Sequence, residues 1–187
     1  MKSGYLYFIK DSFYEDYPHK DLKPNKSADK DGNVHNRPCY YAFSEDNIVW
    51  MIPVSSQVKK YEKIYKNKTK DGKDCDTIVF GYVKGNKNAF LIQNMIPVTE
   101  EYINNIYIDK STDKPVTLSV NLKRELNAKA RKVLRLTRNN IAKIVFTPIM
   151  EIEKKLQTSI SLKEKVAATS EIIEEVSENG DVAKISN

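Results

Sequence analysis

Cysteine and histidine are scarce in this chain, and the scarcity narrows its chemistry. Of 187 residues two are cysteine, Cys39 and Cys75, and two are histidine, His19 and His35. The cysteines stand far apart and form no CxxC pair, so a chain of this size, long enough to bury a core, has no need of a disulfide framework and is expected in a reducing cytoplasm. With no HExxH and no Cys/His cluster there is no zinc site to propose, and no cofactor is implied. Glycine is also rare, at 6 residues against 11 tyrosines and 6 phenylalanines. That ratio suits aromatic-rich strands better than a glycine-rich phosphate loop. No apolar run approaches the ~20 residues of a membrane helix. The opening MKSGYLYFIKDSFYED turns charged too soon to read as a signal peptide.

What the chain has in excess is positive charge. The formal net charge is +6, and it is uneven. From Thr169 onward there are five acidic residues (Glu171, Glu174, Glu175, Glu178, Asp181) and one basic, Lys184, so residues 1–168 carry 30 basic and 20 acidic side chains. A domain that basic is biased toward a polyanion, and charge alone favours nucleic acid over the alternative of a generic solubilising surface.

Hydrophobic patterning gives an outline. Tyr5–Lys10 reads as a strand, and 11–36 as a long lysine-rich excursion over the surface. Arg37–Ser44 and Asn47–Val54 read as a hairpin split by Glu45-Asp46. Ser55–Asn67 reads as a helix starting at the serines. Thr77–Lys84 and Asn88–Val98 form a second hairpin across Gly85-Asn86, followed by a short helix over Thr99–Ile108. Asn121–Asn139 is a strong helix with Asn121 as candidate cap. Ile141–Leu156 continues as strand or helix, interrupted at Pro148. Residues 1–160 are expected to form one domain, and 161–187 an acidic, partly helical tail. Met51-Ile52-Pro53-Val54-Ser55 is echoed by Met95-Ile96-Pro97-Val98-Thr99, each reading as a strand end running into a helix.

Four groups of residues have chemistry to offer. His35-Asn36-Arg37-Pro38 pairs a proton carrier with a bidentate phosphate ligand, and positions i and i+2 of an extended segment face the same way. Ser55 and Ser56 at a helix head, with Lys59 and Lys60 one turn in, resemble an anion site. Along Asn121–Asn139, Arg124, Arg131, Arg135 and Arg138 fall within about 60° of arc, opposite Leu122, Leu126, Val133 and Leu136. No acidic partner at i±4 neutralises that ridge, which suggests phosphate contacts. Tyrosines among the lysines, Tyr40 and Tyr61 above all, are candidates to stack unpaired bases; alternation makes one of Tyr40 and Tyr41 core and the other exposed.

The order of these pieces resembles the toxins of type III toxin–antitoxin systems, the ToxN/AbiQ/CptN family, with the CptN branch nearest. The carrying residues are His35-Asn36-Arg37-Pro38, Trp50-Met51-Ile52-Pro53-Val54-Ser55-Ser56 and Asn94-Met95-Ile96-Pro97-Val98, over residues 1–155. The resemblance implies an α+β fold, an SH3-like (MazF/Kid-type) antiparallel barrel decorated with helices. It implies a metal-independent, sequence-selective endoribonuclease of bacteria and phage defence, held by a small repeated pseudoknot RNA that it also processes, in a closed protein–RNA assembly. His35, Arg37, Ser55, Ser56 and Lys59 then form the expected catalytic set, with Lys60, Arg124, Arg131, Arg135, Arg138, Tyr40 and Tyr61 holding RNA. In the ToxN pattern Pro-Lys follows the serine pair; here Gln57-Val58 intervene, which leaves Lys59 and Lys60 both open for the lysine's role. A non-catalytic nucleic-acid-binding regulator would use the arginine helix equally well.

Overall fold

The computed structural model describes residues 1–28, 32–141, 145–146 and 148–181. The chain is α+β. Strand β1 (Leu6–Ile9) leads into a one-and-a-half-turn helix, α1 (Asp11–Asp16), and a small outlying hairpin, β2 (Lys26–Ala28) and β3 (Val34–Asn36). The segment expected as a long surface excursion therefore holds a short helix and a hairpin of its own. Next come β4 (Cys39–Glu45) and β5 (Ile48–Ser55), joined through Asp46 and Asn47 at φ 50° and 61°. Two left-handed residues of this type make the tight hairpin turn that matches strand twist. Helix α2 (Val58–Lys68) follows, then β6 (Ile78–Val83), β7 (Asn86–Leu91) and β8 (Ile96–Val98). The expected helix over Thr99–Ile108 is mostly strand. One 3₁₀ turn, Glu100–Tyr102, gives way to β9 (Ile103–Ile106), because the open edge of β1 takes Ile103 opposite Ile9. After the two-residue strands β10 (Ile108–Asp109) and β11 (Lys114–Pro115) come α3 (Val120–Arg138) and α4 (Ile149–Asp181).

The main sheet is antiparallel in the order β6-β7-β5-β4-β1-β9. One edge of β5 carries β4 along its length. Its other edge is divided, with β8 against Val49–Met51 and β7 against Val54–Ser55. Among the described residues this order is an open path with β6 and β9 at its ends, not the closed ring expected of a barrel. Every residue of β5 and the first five of β4 are buried. Alternation therefore fails as a guide here: Tyr40 and Tyr41 are both core, where one was expected outside. Helix α3 covers this sheet through Leu126, Ala130, Val133 and Leu134, and α4 through Ile149, Ile152 and Leu156. The cap of α3 is Ser119, not Asn121; its hydroxyl accepts the Leu122 N–H at 3.3 Å.

From Pro148 the chain runs as one helix, and residues 161–170 are exposed along it. The end of the expected tail, 182–187, lies outside the described residues. Among the described residues no helix is long and apolar enough to cross a membrane.

Candidate nucleic-acid interface

The register of β4 and β5 brings the two most promising motifs together. Cys39 is paired with Pro53, and the Val54 N–H donates to the Pro38 oxygen at 3.0 Å. Carried one step further, this register sets Arg37 level with Ser55, so the histidine–arginine motif and the serine pair share one end of the sheet.

Arg37 is a fastener as well as a charge. Its Nε donates to the Pro24 oxygen at 3.1 Å and its Nη1 to the Val54 oxygen at 3.2 Å. A guanidinium has five N–H donors, so these two bonds fix its plane and leave others for an anion. The residue behind this geometry is Asn25, which the sequence reading missed. Buried Asn25 donates through Nδ2 to the Ile9 oxygen at 3.0 Å and to Asp11 Oδ1 at 2.7 Å, and its backbone carbonyl accepts the Arg37 backbone N–H at 2.6 Å. It thus ties the end of β1 to Arg37. Lys26 sits on the other oxygen of Asp11 at 2.5 Å, and holds that carboxyl below its ordinary range, with Asn25 assisting. Tyr14 also lies beside Arg37 and Cys39. Burial pushes the Tyr14 phenol up, and pushes the Cys39 thiol up to about 12, so both stay protonated at neutral pH.

His35 is exposed on β3, opposite Ser27 of the outlying hairpin. The two serines divide. Ser55 is buried, and its Oγ accepts the Gln57 N–H at 3.3 Å, so it shapes the turn; Ser56 is exposed. Helix α2 begins after them, with Gln57 as a cap that makes no side-chain bond. Several of the N–H groups expected to hold an anion are already used: Val58 donates to the Ser56 oxygen, and Lys60 and Tyr61 donate to the Gln57 oxygen. Charge at this helix head comes chiefly from lysines. Lys59 and Lys60 are exposed, and Lys23, another residue the sequence reading passed over, joins them: its Nζ lies 6.0 Å from the Tyr61 ring centroid, and that of Lys60 5.9 Å. No periodicity marks Lys23, whose segment is fastened by the bonds of Pro24 and Asn25 with Arg37.

Tyr40 and Tyr61 are corrected as base-stacking residues. Tyr40 is 0% exposed and donates its hydroxyl to Asn127 Oδ1 at 3.1 Å, and Tyr61 belongs to a small core with Cys75, Ile78, Ala89 and Leu91. Neither ring face is open to a base.

The arginine ridge of α3 is split. Arg124 and Arg135 point to solvent. Arg131 and Arg138 both reach Glu45 at the β4–β5 turn, at 2.7 and 3.0 Å, and Arg138 also pairs with buried Glu153 of α4. Arg131 stacks 4.0 Å above the Phe43 ring centroid. The expectation of an unneutralised ridge fails at these two positions, because the acids come from other elements and not from i±4. Among the described residues, no three or more of His, Cys, Asp and Glu gather to hold a metal ion.

No protein-family model and no curated protein sequence matches this chain. A solved structure does. It is AbiQ, a lactococcal anti-phage endoribonuclease belonging to the type III toxin–antitoxin system. The chain shares its fold with AbiQ. The match covers 86% of this chain and 99% of that one, with a TM-score of 0.61 at 15% sequence identity. AbiQ thus offers a fold for comparison over nearly its whole length, while the residues of this chain must make their own case.

Proposed function

We propose that this chain is the endoribonuclease toxin of a type III toxin–antitoxin system, acting without a metal. What supports the reading is the β4–β5 register, which sets Arg37 level with Ser55 and so brings the His35-Asn36 segment leading into it to the same end of the sheet as Ser56 and the lysines that follow, on a fold shared with AbiQ. The SH3-like character of the sheet is supported by β5, which pairs with β4 on one edge and with both β7 and β8 on the other.

The chemistry needs only these side chains. The RNA 2′-hydroxyl attacks the adjacent phosphorus, the bond to the 5′-oxygen breaks, and a 2′,3′-cyclic phosphate and a 5′-hydroxyl result. His35 takes the 2′ proton, and the departing 5′-oxygen takes a proton from water to become the 5′-hydroxyl. Arg37, held flat by two carbonyls, binds the non-bridging oxygens as charge builds, with Ser56 and the ammonium of Lys59 or Lys60 beside it. Lys23 extends the positive path beside the head of α2, and Arg124 and Arg135 carry more distant phosphates. The partner that silences the chain is a small RNA of pseudoknot repeats, cut by the chain and held as product in a closed protein–RNA assembly, because dense phosphates suit this surface better than an apolar peptide does.

Purification from the native operon, followed by extraction of nucleic acid and end-mapping, tests this. RNA of one length with cyclic phosphate ends is expected. A protein inhibitor without RNA, or RNA of random length, overturns it. A regulator that only binds would leave RNA whole.

A further inference from the structure

A cavity of about 280 Å³ opens between the C-terminal half of α3 and the β4–β5 turn, lined by Glu45, Arg131, Leu134, Arg135, Arg138 and Asn139. It lies on elements other than the strand end that holds His35 and Ser56. We propose that this cavity is a second RNA subsite, which takes one unstacked nucleotide and reads its base. The inference rests on the RNA role proposed above and deepens it.

Four features point to a nucleotide. The volume lies near the lower limit for small-ligand sites, roughly 300 Å³, which suits a single nucleotide unit. Arg131 offers a flat guanidinium whose plane is set from beneath by the Phe43 ring at 4.0 Å, while its side chain stays 54% exposed; a planar base stacks on such a surface. Leu134, 2% exposed, gives an apolar floor. Arg135 is exposed at the rim, where a phosphate would sit.

Glu45 supplies the selectivity. Each of its oxygens accepts one arginine N–H, from Arg131 and from Arg138. A carboxylate has about four lone-pair sites, so each oxygen can accept once more. A base with two adjacent N–H donors fits that acceptor pair, and guanine presents them at N1 and N2. Three arginines against one carboxylate leave the cavity lining net positive, so it stays favourable to the incoming phosphate.

The test uses the full chain with 5′-GMP, and inorganic phosphate and a glutamate-rich peptide as controls. Backbone and methyl NMR resonances report binding. GMP should shift Leu134, Asn139 and Glu45 together, Arg135→Gln should weaken it about tenfold, the value of one charge-assisted hydrogen bond, and 5′-UMP should bind more weakly. Arg135→Gln leaves the Glu45 and Glu153 pairs in place, so an unchanged spectrum elsewhere confirms that it folds. Equal shifts from inorganic phosphate or from the peptide overturn the proposal, as does equal binding of GMP and UMP. GMP has no scissile bond. Failure of RNA cleavage with GMP binding intact would therefore count against the ribonuclease reading alone, and active ribonuclease without GMP binding against the cavity alone.

Discussion

At the sheet end, His35 and Ser56 are exposed while Ser55 is turned inward, and the difference predicts how three single variants behave. His35→Ala and Ser56→Ala should each abolish toxicity on induction and leave the melting temperature unchanged, since neither side chain is buried. Ser55→Ala removes the acceptor of the Gln57 N–H and should cost about 1 kcal/mol of stability while cleavage persists. Growth curves and thermal melts check all three; a folded, fully toxic His35→Ala would remove it as the base. A second residue-scale consequence concerns Cys39 and Tyr40, adjacent on β4 and both pushed up to about 12 by burial. Raised folded values keep the neutral forms in place while the unfolded chain ionises from about pH 9 to 10. Stability is therefore full below that range and falls as pH rises toward 12, by about 1.4 kcal/mol per pH unit for each group. Urea melts at pH 8 and 10.5 should show the loss, and Cys39→Ala should reduce it. Parallel curves for the two proteins would contradict the buried-thiol cause.

At the scale of elements, α3 has two jobs along one face. Arg124→Gln with Arg135→Gln should weaken RNA binding and lower its salt slope by roughly one per lost phosphate contact, without loss of stability. Arg138→Met instead strands buried Glu153 and should cost about 3 kcal/mol. An unchanged salt slope in the first variant would mean the outer ridge meets no RNA. The packing of α3 on β6 makes another prediction: a Cβ at Gly81 would stand 2.2 Å from Leu122 Cδ2. Gly81→Ala should then destabilise by about 1–3 kcal/mol, and Leu122→Ala should recover part of it; equal stability of Gly81→Ala and the parent would refute that close approach.

These elements also show what was legible beforehand. The β4–β5 hairpin and the 3.6-residue stripe of α3 rest on local signals, and both elements form, the turn one residue later than the Glu45-Asp46 of the sequence reading and α3 one residue earlier. The errors are long-range. Tyr40 looks available for stacking until both faces of β4 are covered, and β9 looks helical until β1 offers an edge. Arg131 and Arg138 look unpaired until a turn some 90 residues earlier in the chain delivers Glu45. At the candidate site, His35, Arg37 and Ser56 were visible as motifs. Asn25 and Lys23 were not, because their parts depend on a chain reversal that no short pattern encodes.

The whole molecule is a basic antiparallel body whose final helix is exposed over residues 161–170, and the sequence turns acidic beyond them. Two of its positive regions bear on RNA, the strand end with Lys23, Arg37, Lys59 and Lys60, and the outer face of α3 with Arg124 and Arg135. RNA long enough to span them would be held at one and cut at the other. The most direct test is incubation of the purified protein with RNA in EDTA, followed by mapping of the ends. Defined cuts bearing 2′,3′-cyclic phosphate and 5′-hydroxyl ends, absent with His35→Ala, are predicted. RNA that is bound but stays whole, or cleavage that requires an added divalent metal, would contradict the metal-free ribonuclease.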